Sequence, residues 1–229
     1  MNQLVTVGMV LARTDFQEAD RIVTILTKDH GKLKAMAKGV RRPKSKLAGG
    51  IELFSVSNFT YLPGKGNIGT LISSRLITHY ANIVKDIKRT MLGYELLKRL
   101  NKATEDATGQ EYFKLLDQTF KVLDGDLSLE LIEDWFNAQL LRTAGHQPNL
   151  KTDKGGQKLQ MARQYSFDTE NMNFVVSKEG RYGQRHIKLL RLLFGLEDPT
   201  ALGKIQNMEE VLPASEQLVR TMFHQFIRI

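Results

Sequence analysis

The sequence predicts an α+β protein: a small five-stranded β-barrel over residues 1–80, followed by an α-helical domain over residues 81–229. Three observations carry this expectation. The apolar residues recur with a period near two before residue 80 and near 3.6 after it. Gly- and Pro-bearing turn signals, "KDHG" and "PGKGN", punctuate the first part. Charge divides as the periods do: residues 1–80 hold 12 Lys/Arg against 5 Asp/Glu, whereas residues 81–229 hold 21 against 20.

Five runs rich in β-branched and aromatic residues are the expected strands, at 4–13, 22–27, 32–38, 51–61 and 68–79. "KDHG" joins the second to the third and "PGKGN" the fourth to the fifth, as hairpin connections. In the third strand Lys32, Lys34 and Lys38 fall on one face while Leu33, Ala35 and Ala37 fall on the other. Beyond residue 80, Ile83, Ile87, Met91 and Tyr94 mark one helix. Tyr112, Leu115, Leu116, Thr119 and Leu123 mark a second, and Leu131, Ile132, Trp135, Phe136 and Leu140 a third, which Gly145 and Pro148 end. Residues 149–185, with Gly155, Gly156, Gly180 and Gly183, read as an irregular or weakly stranded insertion. Helicity resumes at 186–194 and after Pro213, where Leu218, Val219, Met222, Phe223 and Phe226 form a closing stripe.

Composition excludes several classes. The hydrophobic share of 41% and charged share of 25% suit a globular chain, and no apolar run reaches the roughly 18 residues of a membrane span. "MNQLVTVGMVLAR" reads as a first strand and not as a signal peptide, which places the protein in the cytoplasm. The absence of cysteine removes disulfides, thiolate nucleophiles and cysteine zinc sites. His30, His79, His146, His186 and His224 are too dispersed for a local helical metal pair.

The net charge of +8 is concentrated in residues 28–46, where eight cations meet one anion, Asp29. Lys32, Lys34 and Lys38 run into Arg41, Arg42, Lys44 and Lys46 as one cationic strip, either a solvated loop or a surface that meets a polyanion. The barrel's rings Phe54, Phe59 and Tyr61 fall on both faces of their strand, so at least one is core. "GKGNIG" at 64–69 has dinucleotide-loop glycine spacing but precedes a strand where that motif opens a helix; it reads as a hairpin turn. Asp15, Glu18 and Asp20 form an acidic group, read as loop carboxylates that repel DNA from one edge; a metal-dependent nuclease is the lesser alternative.

The stretch "VLARTDFQEADRIVTILTKDHGKLKAMAKGVRRPKSKLAGGIELFS", with Glu18, Asp20, Leu26, Thr27, Gly31, Ala37, Lys38, Gly39, Arg41 and Ser45, resembles the N-terminal domain of the RecO recombination mediators; "LLRTAGHQPNL" is similar to that family's later helix ending. The resemblance implies an OB-fold barrel before a helical domain. It implies a non-enzymatic DNA-repair protein that binds single- and double-stranded DNA, anneals complementary strands and, with RecR, helps load RecA onto DNA coated by single-strand binding protein. It places Lys38, Arg41, Arg42, Lys44 and Lys46 in a DNA-contacting region, to which Lys32 and Lys34 of the preceding strand are added. Its partners would be DNA, RecR and the acidic tail of single-strand binding protein, with RecA indirectly. A rival reading is a protein-interaction scaffold whose basic loop meets RNA or acidic proteins without annealing.

Two departures qualify the resemblance. Many relatives carry four cysteines for a structural zinc after the third helix; this chain has none, so no cofactor is expected and packing must hold the insertion. Where the family has a basic residue and a glutamate in "LxxFExxLL", this chain reads "IEDWFNAQLL", with Glu133, Asp134 and Asn137. That shifts or weakens the expected acidic-tail pocket.

Overall fold

The computed structural model describes residues 3–64, 66–104, 109–205 and 207–227. Contacts divide the chain into two compact units, Met1–Asp126 and Leu127–Ile229.

In the first unit, β1 (Leu4–Phe16), β2 (Asp20–Thr27), β3 (Lys32–Ala37), β4 (Ser55–Leu62) and β5 (Ile68–His79) close into a barrel in the order β1-β2-β3-β5-β4. This is the expected five-stranded barrel, of the OB type. β4 closes it by pairing antiparallel with β1 from Leu4–Tyr61 to Met9–Val56. β3 and β5 meet in parallel over three residue pairs, Lys34–Ile68 to Met36–Thr70. The interior is filled by Val10, Val23, Ile25, Ala35, Phe59 and Leu71, with Val40 and Ile51 from the β3–β4 connection. Each fully buried side chain of this size contributes about 1.5–3 kcal/mol. Gly69 lies under the Tyr61 ring, where a Cβ would stand 2.3 Å from Cζ. That glycine belongs to strand β5 and not to a phosphate loop; Lys65 of the same turn lies outside the described residues.

The fourth strand starts later than its β-branched run suggests. Ala48–Ile51 forms a short 3-10 turn, and Phe54 has a positive φ of 56°, so regular pairing begins only at Ser55. The turn sends the Phe54 ring between Tyr94 and Phe120, edge-on to both at 5.4 and 5.5 Å.

The helices α1 (Ile87–Ala103) and α2 (Gln110–Leu123) complete this unit, which therefore extends beyond the barrel. Asp86 caps α1 by accepting from the amides of Lys88 and Arg89. The apolar stripe expected for this helix is out of phase with the observed one. Ile83 sits buried in a separate 3-10 turn, while Ile87, Met91 and Tyr94 are exposed. The buried face is Gly93, Leu96, Leu97 and Leu100 instead. The cap at Asp86 resets the helix after Ile83, so the four apolar residues never share one face. The stripe of α2 is as expected: Tyr112, Leu115, Leu116, Thr119 and Leu123 are all buried.

In the second unit α3 (Leu129–Thr143) is buried nearly all round, from Leu131 to Leu141, with Glu133 the partial exception. It forms the centre on which α4 (Gln184–Gly195) and α5 (Leu212–Phe226) pack. Three α3 side chains hold the end of α4: Trp135 Nε1 donates to Leu196 O at 2.8 Å, Gln139 Nε2 to Leu193 O at 2.6 Å and Arg142 Nη1 to Phe194 O at 2.9 Å. These donors satisfy carbonyls that a helix end leaves without intrahelical partners. The insertion is stranded: β6 (Asn149–Asp153), β7 (Tyr165–Asp168) and β8 (Asn173–Val176) form a sheet in the order β6-β8-β7. Phe174 is fully buried among Tyr165, Phe167 and Tyr182, all edge-on to it. Among the described residues no helix is long and apolar enough to cross a membrane.

Candidate nucleic-acid interface

The strip begins on β3. Alternation along the strand turns Leu33, Ala35 and Ala37 toward the barrel interior and leaves Lys34 exposed. Lys32 is committed elsewhere. Its ammonium donates to the carbonyl of Asn101 at 2.7 Å and to Asn101 Oδ1 at 3.3 Å, fastening β3 to the last turn of α1. Lys38, expected on the strand, is the first residue beyond it, because β3 ends at Ala37 and the chain turns.

The connection from Lys38 to Leu47 is a series of turns held at defined points. Gly39 adopts φ +63°, a left-handed conformation that favours glycine. Its amide donates to Asp20 Oδ1 at 2.7 Å, and the Arg41 amide to Ala19 O at 2.9 Å. Val40 is buried against the barrel core. Arg42 N to Gly39 O and Ser45 N to Arg42 O, at 3.1 and 3.0 Å, close successive turns. At the far end Ser74 Oγ donates to Leu47 O at 2.8 Å.

Arg41, Arg42, Lys44 and Lys46 are exposed along this framework, with Lys34 and Lys38. Arg41 differs from the others because its Nη1 stands 3.6 Å from Asp15 Oδ2. Asp15 also accepts from Arg21 Nε at 2.6 Å. That hydrogen bond, with the charges of Arg21, Arg41 and Arg13, holds the Asp15 carboxyl below the usual carboxylate range against the opposing effect of desolvation. Among the described residues no carboxylate lies within ion-pair distance of Lys34, Lys38, Arg42, Lys44 or Lys46.

Two members of the acidic group therefore have a different place from the one their composition suggests, while Glu18 is exposed in the turn between β1 and β2. Asp15 and Asp20 bind the arginines and backbone of the basic region itself, and Arg21 joins the constellation although nothing in the run of cations marked it. Among the described residues no three His, Cys, Asp or Glu side chains converge as metal ligands. The rings Phe54, Phe59 and Tyr61 are all buried in the core, so none is presented for base stacking. On α3, Asp134 and Asn137 are buried and Glu133 is partly buried, so that segment faces the unit's interior.

Residues 1–80 match the family described as Recombination protein O N terminal. The chain is 26% identical to the DNA repair protein RecO of Listeria innocua over 227 residues, covering 96% of this chain and 88% of the relative. It is 34% identical to the DNA repair protein RecO of Moorella thermoacetica over 145 residues, covering 63% of this chain and 54% of that one. For the RecO of Dehalococcoides mccartyi the identity is 32% over 147 residues, with 64% and 58% covered.

Proposed function

We propose, from the premise that the chain belongs to the RecO family of DNA repair recombination proteins, that it binds single- and double-stranded DNA through the phosphates and pairs complementary strands. Together with RecR it would assist RecA loading on DNA coated by single-strand binding protein. The observation that carries the DNA-binding part is the row of exposed cations that runs from Lys34 on β3 to Lys38, Arg42, Lys44 and Lys46 on a loop whose backbone is fixed to the barrel, none of them with a carboxylate partner among the described residues. Phosphates exchange counterions for such side chains, so affinity is set by how many cations meet the backbone at once. Protein partners fall to the helical unit in this reading, and no catalytic group is required.

The test is binding of a labelled single strand across a salt series, followed by annealing of two complementary strands. Neutralising about four phosphates gives a log-log slope near −3 on single strands. The combined variant Arg41→Ala, Arg42→Ala and Lys44→Ala should bind far more weakly, with a slope shallower by about two. A slope near zero for the wild-type protein, or wild-type binding by the triple variant, removes this loop from the mechanism. No acceleration of pairing leaves the protein as a binder and not an annealer.

A further inference from the structure

We infer that Asp20 is a positioning residue of the DNA interface, an inference that rests on the DNA-binding reading above. A carboxylate beside a cationic surface ordinarily weakens anion binding. Removing one about 10 Å from a phosphate raises affinity about two-fold on Coulomb grounds alone. The geometry around Asp20 gives the opposite sign.

Asp20 is the first residue of β2, just past a turn in which Gln17 has φ 51°. Its Oδ1 accepts from the amide of Gly39 at 2.7 Å, at the point where β3 becomes the basic loop. The next tie is one residue upstream on the same turn: Ala19 O accepts from the amide of Arg41 at 2.9 Å. Asp15, at the end of β1, adds a looser contact to the Arg41 guanidinium at 3.6 Å. Three links from the β1–β2 hairpin thus reach residues 39 and 41 and stop there. Lys38, Arg42, Lys44 and Lys46, on either side of the tied residues, keep their charges unpaired among the described residues.

Asp20 thus holds the loop's backbone in the left-handed turn at Gly39 and takes up none of its cationic side chains. A loop held in this way presents its cations together. A loop released from it must order itself on each encounter with DNA, and that ordering opposes binding. The role belongs to the acceptor oxygen and not to the negative charge, which separates the two in an experiment.

Asp20→Asn keeps an acceptor at the Oδ1 position and loses the charge. Asp20→Ala loses both. Asp20→Glu keeps the charge and displaces the acceptor by one methylene. In the full chain, Asn should bind a labelled single strand at least as tightly as wild type. Ala should bind about five-fold more weakly, with a salt slope flatter by about one, despite its more positive net charge. Glu should fall between, and it keeps the test decisive should Ala fail to fold. Limited trypsin digestion reads the frame without DNA: cleavage within 38–46 should accelerate in Ala and Glu but not in Asn. Equal or tighter DNA binding by Ala and Glu, with an unchanged slope and unchanged digestion, overturns the inference. A wild-type protein that binds no DNA overturns instead the functional reading on which it rests, so the two failures are distinct.

Discussion

Replacing Asp134 by Asn should stabilise the second unit, by an amount that grows with pH. Asp134 lies on α3, only 2% exposed, and its Oδ2 has no hydrogen-bond partner. Burial pushes its carboxyl up from 3.8 to about 8; Glu216 on α5 and Glu133 and Glu130 on α3 push the same way, while Arg220 on α5 opposes them. The native state therefore keeps a proton that the unfolded chain releases near pH 3.8. Between those values the unfolded state binds fewer protons, so stability falls as pH rises, by about 1.4 kcal/mol per pH unit. At pH 7 the accumulated cost is about 4 kcal/mol. It fades toward pH 4 and saturates above about pH 8.

Asn has nearly the same shape and no charge to desolvate. An unpartnered amide still costs about 1–2 kcal/mol, so the net gain at pH 7 is about 2–3 kcal/mol. For a chain of this size that is a rise in Tm of roughly 5–10 °C. Trp135, the sole tryptophan, is buried next to Asp134 in α3 and reports this unit in urea titrations. The stability gap between Asp134→Asn and wild type should widen by about 1.4 kcal/mol for each pH unit from 5 to 8. A gap constant over that range would refute the reasoning, since it would mean that the native carboxyl ionises like an exposed one.

Phe174→Ala should cost about 3–5 kcal/mol and loosen the β6-β8-β7 sheet, because Phe174 is the ring on which Tyr165, Phe167 and Tyr182 converge. Addition of EDTA to the wild-type protein should leave its melting curve unchanged; a chelator-induced fall would mean that a metal and not these rings holds the sheet. Gln139→Ala should cost about 1–3 kcal/mol through the unpaired carbonyl of Leu193, read by the shift of the Trp135 fluorescence transition in urea.

What was legible in the sequence followed locality. The number of barrel strands could be read because each is a short run with its own turn signals, and the stripes of α2 and α3 because each lies within one helix. The insertion of β5 between β3 and β4 could not, since the parallel contact of Lys34–Ile68 to Met36–Thr70 leaves no mark on neighbouring residues. The first helix formed, but its expected stripe from Ile83 to Tyr94 is not its buried face, for a related reason: a cap at Asp86 breaks a period that side-chain type alone continues. The same limit governs the candidate interface. Its cations are adjacent in sequence and were visible, whereas Lys32 is drawn to Asn101, 69 positions away, and Gly39 to Asp20, 19 positions away. Charge counting reads Asp15, Glu18 and Asp20 by sign alone and cannot show direction: Asp20 is aimed at the Gly39 amide and Asp15 at the guanidinium groups of Arg21 and Arg41.

The burial of the barrel rings carries this further. Single-strand binders on related barrels combine phosphate contacts with base stacking, and stacking contributes about 1–3 kcal/mol per base independently of salt. Phe54, Phe59 and Tyr61, in the core, offer none of that contribution, while Phe16 at the end of β1 and Tyr94 on α1 are exposed rings of the same unit. In the proposed reading what the unit offers is a set of exposed cations that would meet phosphates, and phosphates are common to one strand and two. A surface that grips the backbone and leaves base faces and edges untouched suits strand pairing, because a strand held through its phosphates still has its pairing edges free. The weak point of such a surface is its dependence on counterions, since its grip loosens as salt competes for the phosphates. On the inference drawn above, fixing the loop at Gly39 and Arg41 would act on that weakness: it adds no contact with DNA, but it would let the existing cations engage together.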